Sequence, residues 1–168
     1  INKKDLPEKT IGITIDDAYK SIYSNAWPIL KAAGLPFTIF VSTALIDSKS
    51  KKYMNWEQIK ELSNSGVTIG NHTVNHLNLV SKTEKVVIKE VTNAKQSFMN
   101  NLGYSPDIFS YPYGEYSLKI KNFIKNQKFK AAFGQQSGII FYEIDLLDHL
   151  ANTINNKSLL IAISQSGE

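Results

Sequence analysis

The chain has 168 residues and a mass of 18.9 kDa, which suits one domain with one hydrophobic core. Hydrophobic residues make up 42% of it and charged residues 20%, so the composition excludes an intrinsically disordered chain. The net charge of +4 comes from lysine alone, because the chain contains no arginine, and the absence of cysteine excludes disulfides and thiolate metal sites.

The positive charge does not predict nucleic-acid binding. Arginine supplies the bidentate contacts to guanine and phosphate, and the lysines are scattered, with a solvated loop at Lys49, Lys51 and Lys52 as the densest group. We therefore expect no nucleic-acid partner. No apolar run has the length of a membrane span, so we also expect no transmembrane segment in this chain, although a signal or anchor could have preceded its first residue.

A buried strand is predicted at residues 11–15, where β-branched residues alternate, and it stops at the acid pair Asp16 and Asp17. A helix is predicted over residues 19–33, which Pro28 should bend or divide. Its apolar residues fall on one face: Ile22, Ala26, Ile29, Leu30 and Ala33. A second strand is predicted at residues 37–41.

Strands and helices continue to alternate along the chain. Helices are predicted at residues 56–64, 83–102 and 118–126, and strands at 67–70, 108–111 and 129–133. After Gly138 the pattern weakens, with a helix at 142–150 and a last strand at 158–163 as expectations. This alternation predicts one α/β domain over residues 1–168, with a mostly parallel sheet that is open or closed into a barrel.

Chemically useful side chains follow several of these strands. In parallel α/β folds catalytic groups gather at the carboxyl ends of strands, and Asp16, Asp17, His72 and Tyr113 all occupy such positions. Their common placement favours a single site.

Two histidines and one carboxylate form a facial set of metal ligands that leaves positions open for water and substrate. His72 and His76 are four residues apart, so a compact loop or helical turn brings their rings to one ion. Adjacent residues of a strand point to opposite faces, so only one of Asp16 and Asp17 should bind the metal unless the backbone turns there. The other acid is then free to act as a base.

Three segments resemble the carbohydrate deacetylases with a NodB homology domain, also called carbohydrate esterase family four. Residues 14–17 (TIDD) are similar to the family's Thr-Phe-Asp-Asp motif, and residues 72–76 (HTVNH) match its His-(Ser/Thr)-x-x-His motif. Residues 110–114 (SYPYG) resemble its Arg-x-Pro-Tyr-Gly motif. The resemblance covers roughly residues 7–138.

The resemblance implies a distorted (β/α) barrel, either complete or incomplete, and a role for each site residue. Asp16 would be the general base, Asp17, His72 and His76 would hold a divalent metal, and the backbone N–H of Tyr113 would bind the oxyanion. Zinc is the first choice for the metal, with cobalt, nickel and iron as alternatives.

The implied activity is removal of N-acetyl groups from a polymer of N-acetylglucosamine. Residues 111–115 and 133–138 are most similar to the branch that acts on poly-β-1,6-N-acetylglucosamine in biofilms. The alternatives are an O-acetyl esterase or amidohydrolase on another acetylated carbohydrate, and a catalytically impaired carbohydrate-binding domain. The resemblance also implies an extracytoplasmic location.

The chain departs from the family pattern at three places. Ala18 replaces the usual glycine after the acid pair, which adds strain if φ is positive there, and Ser110 replaces an arginine that orients the base. The histidine that protonates the leaving amine has no clear counterpart. His149 is the remaining histidine and is a candidate for this acid, with an ordinary surface position on a helix as the alternative.

Aromatic residues divide into two predicted groups. The first group should pack in the core and comprises Trp27, Trp56, Tyr23 and Phe37. The second should stack on sugar rings beside the site and comprises Tyr111, Tyr113 and Tyr116.

Overall fold

The computed structural model describes residues 11–134 and, for the backbone alone, residues 159–163. Its six strands are β1 Ile11–Ile15, β2 Thr38–Val41, β3 Thr68–Asn71, β4 Ile108–Ser110, β5 Ala131–Phe133 and β6 Leu159–Ile163. They form one sheet in the order β5-β4-β3-β2-β1-β6, and every pair of neighbours is parallel. Each strand corresponds to a predicted one, whereas the helix expected at residues 142–150 lies outside the described residues.

The described strands leave the sheet open, with β5 at one edge and β6 at the other. The prediction of a distorted (β/α) barrel is therefore confirmed, in its incomplete form. Because all six strands are parallel, their carboxyl ends form one rim of the sheet, the carboxyl edge, and the loops that follow the strands meet there. The candidate site lies at this carboxyl edge and not at the outer strands β5 and β6.

Within residues 11–134 five α-helices cover the sheet: α1 Trp27–Ala32, α2 Thr43–Asp47, α3 Trp56–Asn64, α4 Glu84–Leu102 and α5 Leu118–Asn126. Short 3-10 turns lie at Leu79–Ser81 and Pro112–Gly114. The short helix α2 was not among the predicted elements. None of the helices in the described ranges combines the length and apolar character needed to cross a bilayer.

Helix ends follow from local chemistry. Asn55 and Gln58 form a capping box at the start of α3, in which each side chain accepts a hydrogen bond from the other residue's backbone N–H. Gly103 ends α4 in the left-handed conformation with φ of 80°, which costs glycine little. Ile59 and Leu62 of α3 are fully buried, as their helical spacing predicts.

The predicted helix at residues 19–33 contains a π-helical turn, Ile22–Ala26, that leads directly into α1. A π turn holds more residues than an α turn and so rotates the following side chains about the axis. Ile29, predicted to face inward, is 69% exposed, while Leu30 still packs against the core. The expectation for Ile29 was wrong because the regular period of 3.6 residues does not hold through this turn.

The core has two parts. The larger packs α1, α3 and α4 against β1, β2 and β3, and it contains Trp27 and Phe37 as predicted. The smaller lies between β4, α4 and α5 around Phe109 and Ile124. Both parts support the loops at the carboxyl edge of the sheet.

Candidate metal centre and active site

The chain turns sharply where β1 ends. Asp17 and Ala18 have φ of 72° and 53°, so the two acids do not alternate as they would on a straight strand. Both reach the same ring: His72 Nε2 lies 3.9 Å from Asp16 Oδ2 and 3.8 Å from Asp17 Oδ1. Because φ at Ala18 is positive, alanine is strained at this position, as expected for a residue that replaces glycine; the strain costs about 1 kcal/mol of conformational free energy.

The loop at residues 72–76 places both histidines. His72 follows β3 directly and its side chain is buried, while His76 lies at the more open end of the loop. Thr73 and His76 have φ of 70° and 53°, which bends the loop enough to bring the two imidazole centroids within 4.7 Å. Such left-handed non-glycine residues persist where the surrounding structure holds them.

Residues after β2 supply part of that support. The Ser42 hydroxyl donates a hydrogen bond of 2.9 Å to the carbonyl of His72. At the start of α2, the N–H of Thr43 donates to the Thr73 carbonyl and the N–H of Ala44 to the Val74 carbonyl, at 3.1 and 2.9 Å. The first N–H groups of a helix have no partner within it, so α2 is well suited to hold the loop.

One ligand atom each from Asp17, His72 and His76 lies within 4.8 Å of the other two. His76 Nε2 is 3.5 Å from Asp17 Oδ1, a separation too long for a good hydrogen bond. Ligand atoms at ~2.1 Å from a tetrahedral zinc ion lie roughly 3.4 Å apart, so the spacing fits an ion at the centre.

Two buried atoms of this group support the same fit. Asp17 Oδ1 and His72 Nε2 are buried without a hydrogen-bond partner, and such atoms normally cost free energy unless something satisfies them. The structure contains no ion, and the residues present fit one. It brings together every residue that the sequence nominated as a ligand.

The pKa values of the site reflect its burial. Burial, reinforced by the charge of His76, lowers the pKa of His72 to about 3, so its ring is neutral near pH 7 and able to ligate. Burial and the neighbouring charge of Asp17 raise the pKa of Asp16 to about 7. The Ser110 hydroxyl opposes this rise by hydrogen bonding to the Asp16 carboxylate.

Asp17 has a raised pKa, chiefly because of burial, while His76 and Lys52 favour its charged form. The Lys52 ammonium lies over the rings of Tyr19 and Tyr53, 5.1 and 5.8 Å from their centroids. Lys52, predicted to belong to a solvated loop, therefore lies close enough to the site to influence Asp17.

Tyr113 lies beside the metal ligands. Its ring centroid is 4.7 Å from that of His76, its side chain is 62% exposed, and its φ is 62°. Tyr111 is instead buried in the smaller core, where it packs against Phe109 and Tyr116. The prediction that Tyr111 stacks on sugars was wrong, because alternation along the strand turns its ring inward.

Ser42 and Thr43 were not among the predicted site residues. Both follow β2 at the carboxyl edge, a position where parallel sheets gather catalytic groups, so the sequence did hold a signal for them. His149, the candidate for the general acid, lies outside the described residues.

The sequence of the chain matches a known protein family. The family model described as polysaccharide deacetylase matches residues 3–132. The putative polysaccharide deacetylase YxkH of Bacillus subtilis is 36% identical over 110 residues, which cover 66% of this chain and 39% of that protein. The poly-β-1,6-N-acetyl-D-glucosamine N-deacetylase of Staphylococcus aureus strain MSSA476 is 26% identical over 124 residues, covering 67% of this chain and 43% of that protein.

Among solved structures, the Streptococcus pyogenes deacetylase PplD in complex with acetate superposes with a TM-score of 0.79 at 26% identity. The match covers 96% of this chain and 68% of that one. The chain spans about two fifths of the length of these curated relatives. On the family match, which covers most of its length, the chain belongs to the polysaccharide deacetylase family.

Proposed function

We propose that the protein is a metal-dependent hydrolase that removes N-acetyl groups from a polymer of N-acetylglucosamine. The observation that carries this proposal is the convergence of Asp17, His72 and His76 on one point, with the carboxylate of Asp16 beside them. For the polymer, the S. aureus relative named for poly-β-1,6-N-acetyl-D-glucosamine makes that glycan our leading candidate. Such a substrate would place the enzyme outside the cytoplasm.

Asp17, His72 and His76 would hold the ion. When bound, a divalent metal would supply Lewis acidity toward the acetyl carbonyl and toward water. Zinc suits two imidazoles and one carboxylate, and cobalt, nickel and iron bind similar sets. His72 is prepared for ligation because its Nδ1–H donates to the Ser110 carbonyl at 2.8 Å, leaving Nε2 unprotonated on the side of the acids.

Asp16 is our candidate for the general base. Its carboxylate lies 3.9 Å from His72 Nε2 through Oδ2, so it borders the position of the ion, while Asp17 takes the ligand role. Burial brings the pKa of Asp16 to about 7 in the metal-free protein, near the value that suits proton transfer at neutral pH. It would take a proton from the attacking water as that water adds to the acetyl carbon.

Addition of water to the acetyl carbon gives a tetrahedral intermediate with a negatively charged oxygen, which Tyr113 would stabilise. Tyr113 lies in the 3-10 turn Pro112–Gly114 beside His76, and its φ is positive. We assign its backbone N–H as the donor to this oxyanion. The exposed ring is available to contact a sugar. Collapse of the intermediate breaks the carbon–nitrogen bond and yields acetate and an amine, which must be protonated as it leaves.

Acetate release from a panel of acetylated carbohydrates tests the proposal. The metal-loaded protein should release acetate from β-1,6-linked N-acetylglucosamine oligomers faster than from β-1,4-linked oligomers or acetylated xylan. Preference for acetylated xylan would assign an O-acetyl esterase, and preference for the β-1,4 oligomers would change the polymer. Binding of the oligomers without acetate release, with zinc, cobalt or nickel supplied, would contradict hydrolysis.

A further inference from the structure

Helix α4 buries one carboxylate. Glu90 is 5% exposed and lies on the buried face of the helix with Val87 and Val91. Burying an ionised carboxylate costs several kcal/mol unless hydrogen bonds satisfy its oxygens. The residues assigned to the reaction do not explain why a carboxyl group is kept there.

Both oxygens of Glu90 bind the same residue. Oε2 accepts a hydrogen bond from the backbone N–H of Asn75 at 2.8 Å, and Oε1 accepts one from Nδ2 of its side chain at 2.6 Å. Asn75 stands between the two histidines in sequence and directly precedes His76. The buried carboxylate therefore grips the metal-binding loop at one residue, by main chain and side chain together.

Apart from one longer bond within the loop, the other hydrogen bonds that hold it in the described part of the chain act nearer its beginning. Ser42, Thr43 and Ala44 bind the carbonyls of residues 72–74, and Thr73 Oγ1 accepts a longer hydrogen bond of 3.2 Å from the N–H of His76. His76 itself has a strained φ of 53°. A residue in that conformation needs support on its own side of the loop, which the contact from α4 supplies.

We propose that Glu90 is a positioning residue of the metal site, acting through Asn75 to hold His76 where its Nε2 meets Asp17. This inference rests on the proposed metal-binding role of His76, but it concerns metal affinity and not the identity of the substrate. Partners that orient metal ligands commonly change affinity by about 10- to 100-fold when they are removed. Glu90 contacts neither substrate nor metal in this role.

Replacement of Glu90 by Met and by Gln separates positioning from a role in folding. Glu90→Met fills a similar volume without acceptors, and the two donors that it leaves belong to the exposed residue Asn75, where water can satisfy them, so the metal-free protein should stay folded. Its dissociation constant for zinc, measured by chelator competition on the whole chain, should rise by about tenfold or more. Glu90→Gln keeps an acceptor for the N–H of Asn75, and a flip of the Asn75 amide restores the second bond, so zinc affinity should stay within about threefold of the original.

Glu84→Met is the matched control. Glu84 lies on the same helix but pairs with Lys119 at an exposed site, so its loss should leave zinc affinity unchanged. The absorption spectrum of the cobalt-loaded protein adds a readout of ligand geometry that a change in folding alone would not move. If Glu90→Met does not fold, Asn75→Ala is the second variant. It removes the hydrogen bond from Asn75 Nδ2 to Glu90 Oε1, and because Asn75 is exposed the change leaves the core intact. This variant should also bind zinc more weakly than the unaltered protein.

The proposal is overturned if Glu90→Met, or the folded Asn75→Ala, binds zinc as tightly as the unaltered protein. A loss in Glu90→Gln as large as that in Glu90→Met would also contradict it, because charge and not hydrogen bonding would then be responsible. If the unaltered protein binds zinc but releases no acetate, the proposed deacetylation fails while this measurement still decides the role of Glu90. If the unaltered protein binds no divalent ion, both proposals fall.

Discussion

The Nδ1–H of His72 donates a 2.8 Å hydrogen bond to the backbone carbonyl of Ser110. A carbonyl oxygen can only accept, so this contact fixes the tautomer in which Nε2 carries the free lone pair. It also ties the end of β3 to the end of β4 across the sheet. The contact does not depend on the side chain at position 110, because the main chain of Ser110 makes it.

Loss of either histidine should abolish stoichiometric metal binding. His72→Ala and His76→Ala each remove one of three ligands and leave a site too weak to retain zinc through dialysis. Elemental analysis of the dialysed protein measures this. His149→Ala is the matched control and should keep its zinc, and an unchanged zinc content in His72→Ala would exclude that residue from the ligand set.

Truncation of Tyr113 should separate its side chain from its backbone. Tyr113→Ala keeps the N–H assigned to the oxyanion and removes the exposed ring beside His76. We therefore expect KM to rise while kcat changes by less than about tenfold, since a lost oxyanion donor costs about 100-fold or more. Steady-state acetate release gives both constants, and a fall in kcat of the larger size with KM unchanged would show that the ring acts in the chemical step.

The raised pKa of Asp16 predicts how its replacement affects the metal-free protein. A carboxyl whose pKa is about 7 when folded and 3.8 when unfolded destabilises the fold increasingly as pH rises between these values. Asp16→Asn removes this effect, so in the presence of a chelator it should be more stable than the unaltered protein at pH 8, by about 1–3 kcal/mol. Below pH 4 the two should be equally stable.

Urea unfolding at the two pH values makes this comparison. The carboxamide has nearly the size of the carboxylate, so packing does not account for a pH-dependent difference. An equal free energy of unfolding at pH 8 would mean that Asp16 is solvated and its pKa ordinary.

Gly70 leaves room for the ring of Phe40 under the site. A Cβ at Gly70 would lie 2.3 Å from Phe40 Cδ1, and Phe40 is itself enclosed between His72 and Phe133. Gly70→Ala should destabilise the protein by about 1–3 kcal/mol through overpacking. Thermal unfolding measures this loss of stability. The double variant Gly70→Ala with Phe40→Leu should recover part of the loss seen in Gly70→Ala, because the smaller side chain relieves the crowding. If the losses of the two single variants were strictly additive, the two residues would not compete for space.

Much of the fold and of the site could be predicted because the signals were local. The alternation of β-branched residues at Ile11–Ile15 and the Asn55 cap of α3 depend on near neighbours in the chain. The acid pair and His72 were also recognisable, because each follows a strand end where parallel sheets gather their chemistry, and His76 was recognisable by its spacing of four residues from His72.

What could not be predicted depends on the turn of the backbone or on distant contacts. The common approach of Asp16 and Asp17 to His72 requires the left-handed turn at Asp17, and a strand pattern alone indicates the opposite. The exposure of Ile29 follows from a π turn that helical periodicity does not contain. Likewise Glu90 reads as an ordinary helix residue until its contact with Asn75, fifteen residues earlier, is seen.

Acetate release by Asp16→Asn at full metal content tests the central claim most directly. With zinc bound to the same extent as in the unaltered protein, the variant should hydrolyse β-1,6-linked N-acetylglucosamine oligomers about 100-fold or more slowly, because the amide cannot accept the proton of the attacking water. An unchanged rate at equal zinc content would contradict the assignment of Asp16 as the base beside the metal site formed by Asp17, His72 and His76.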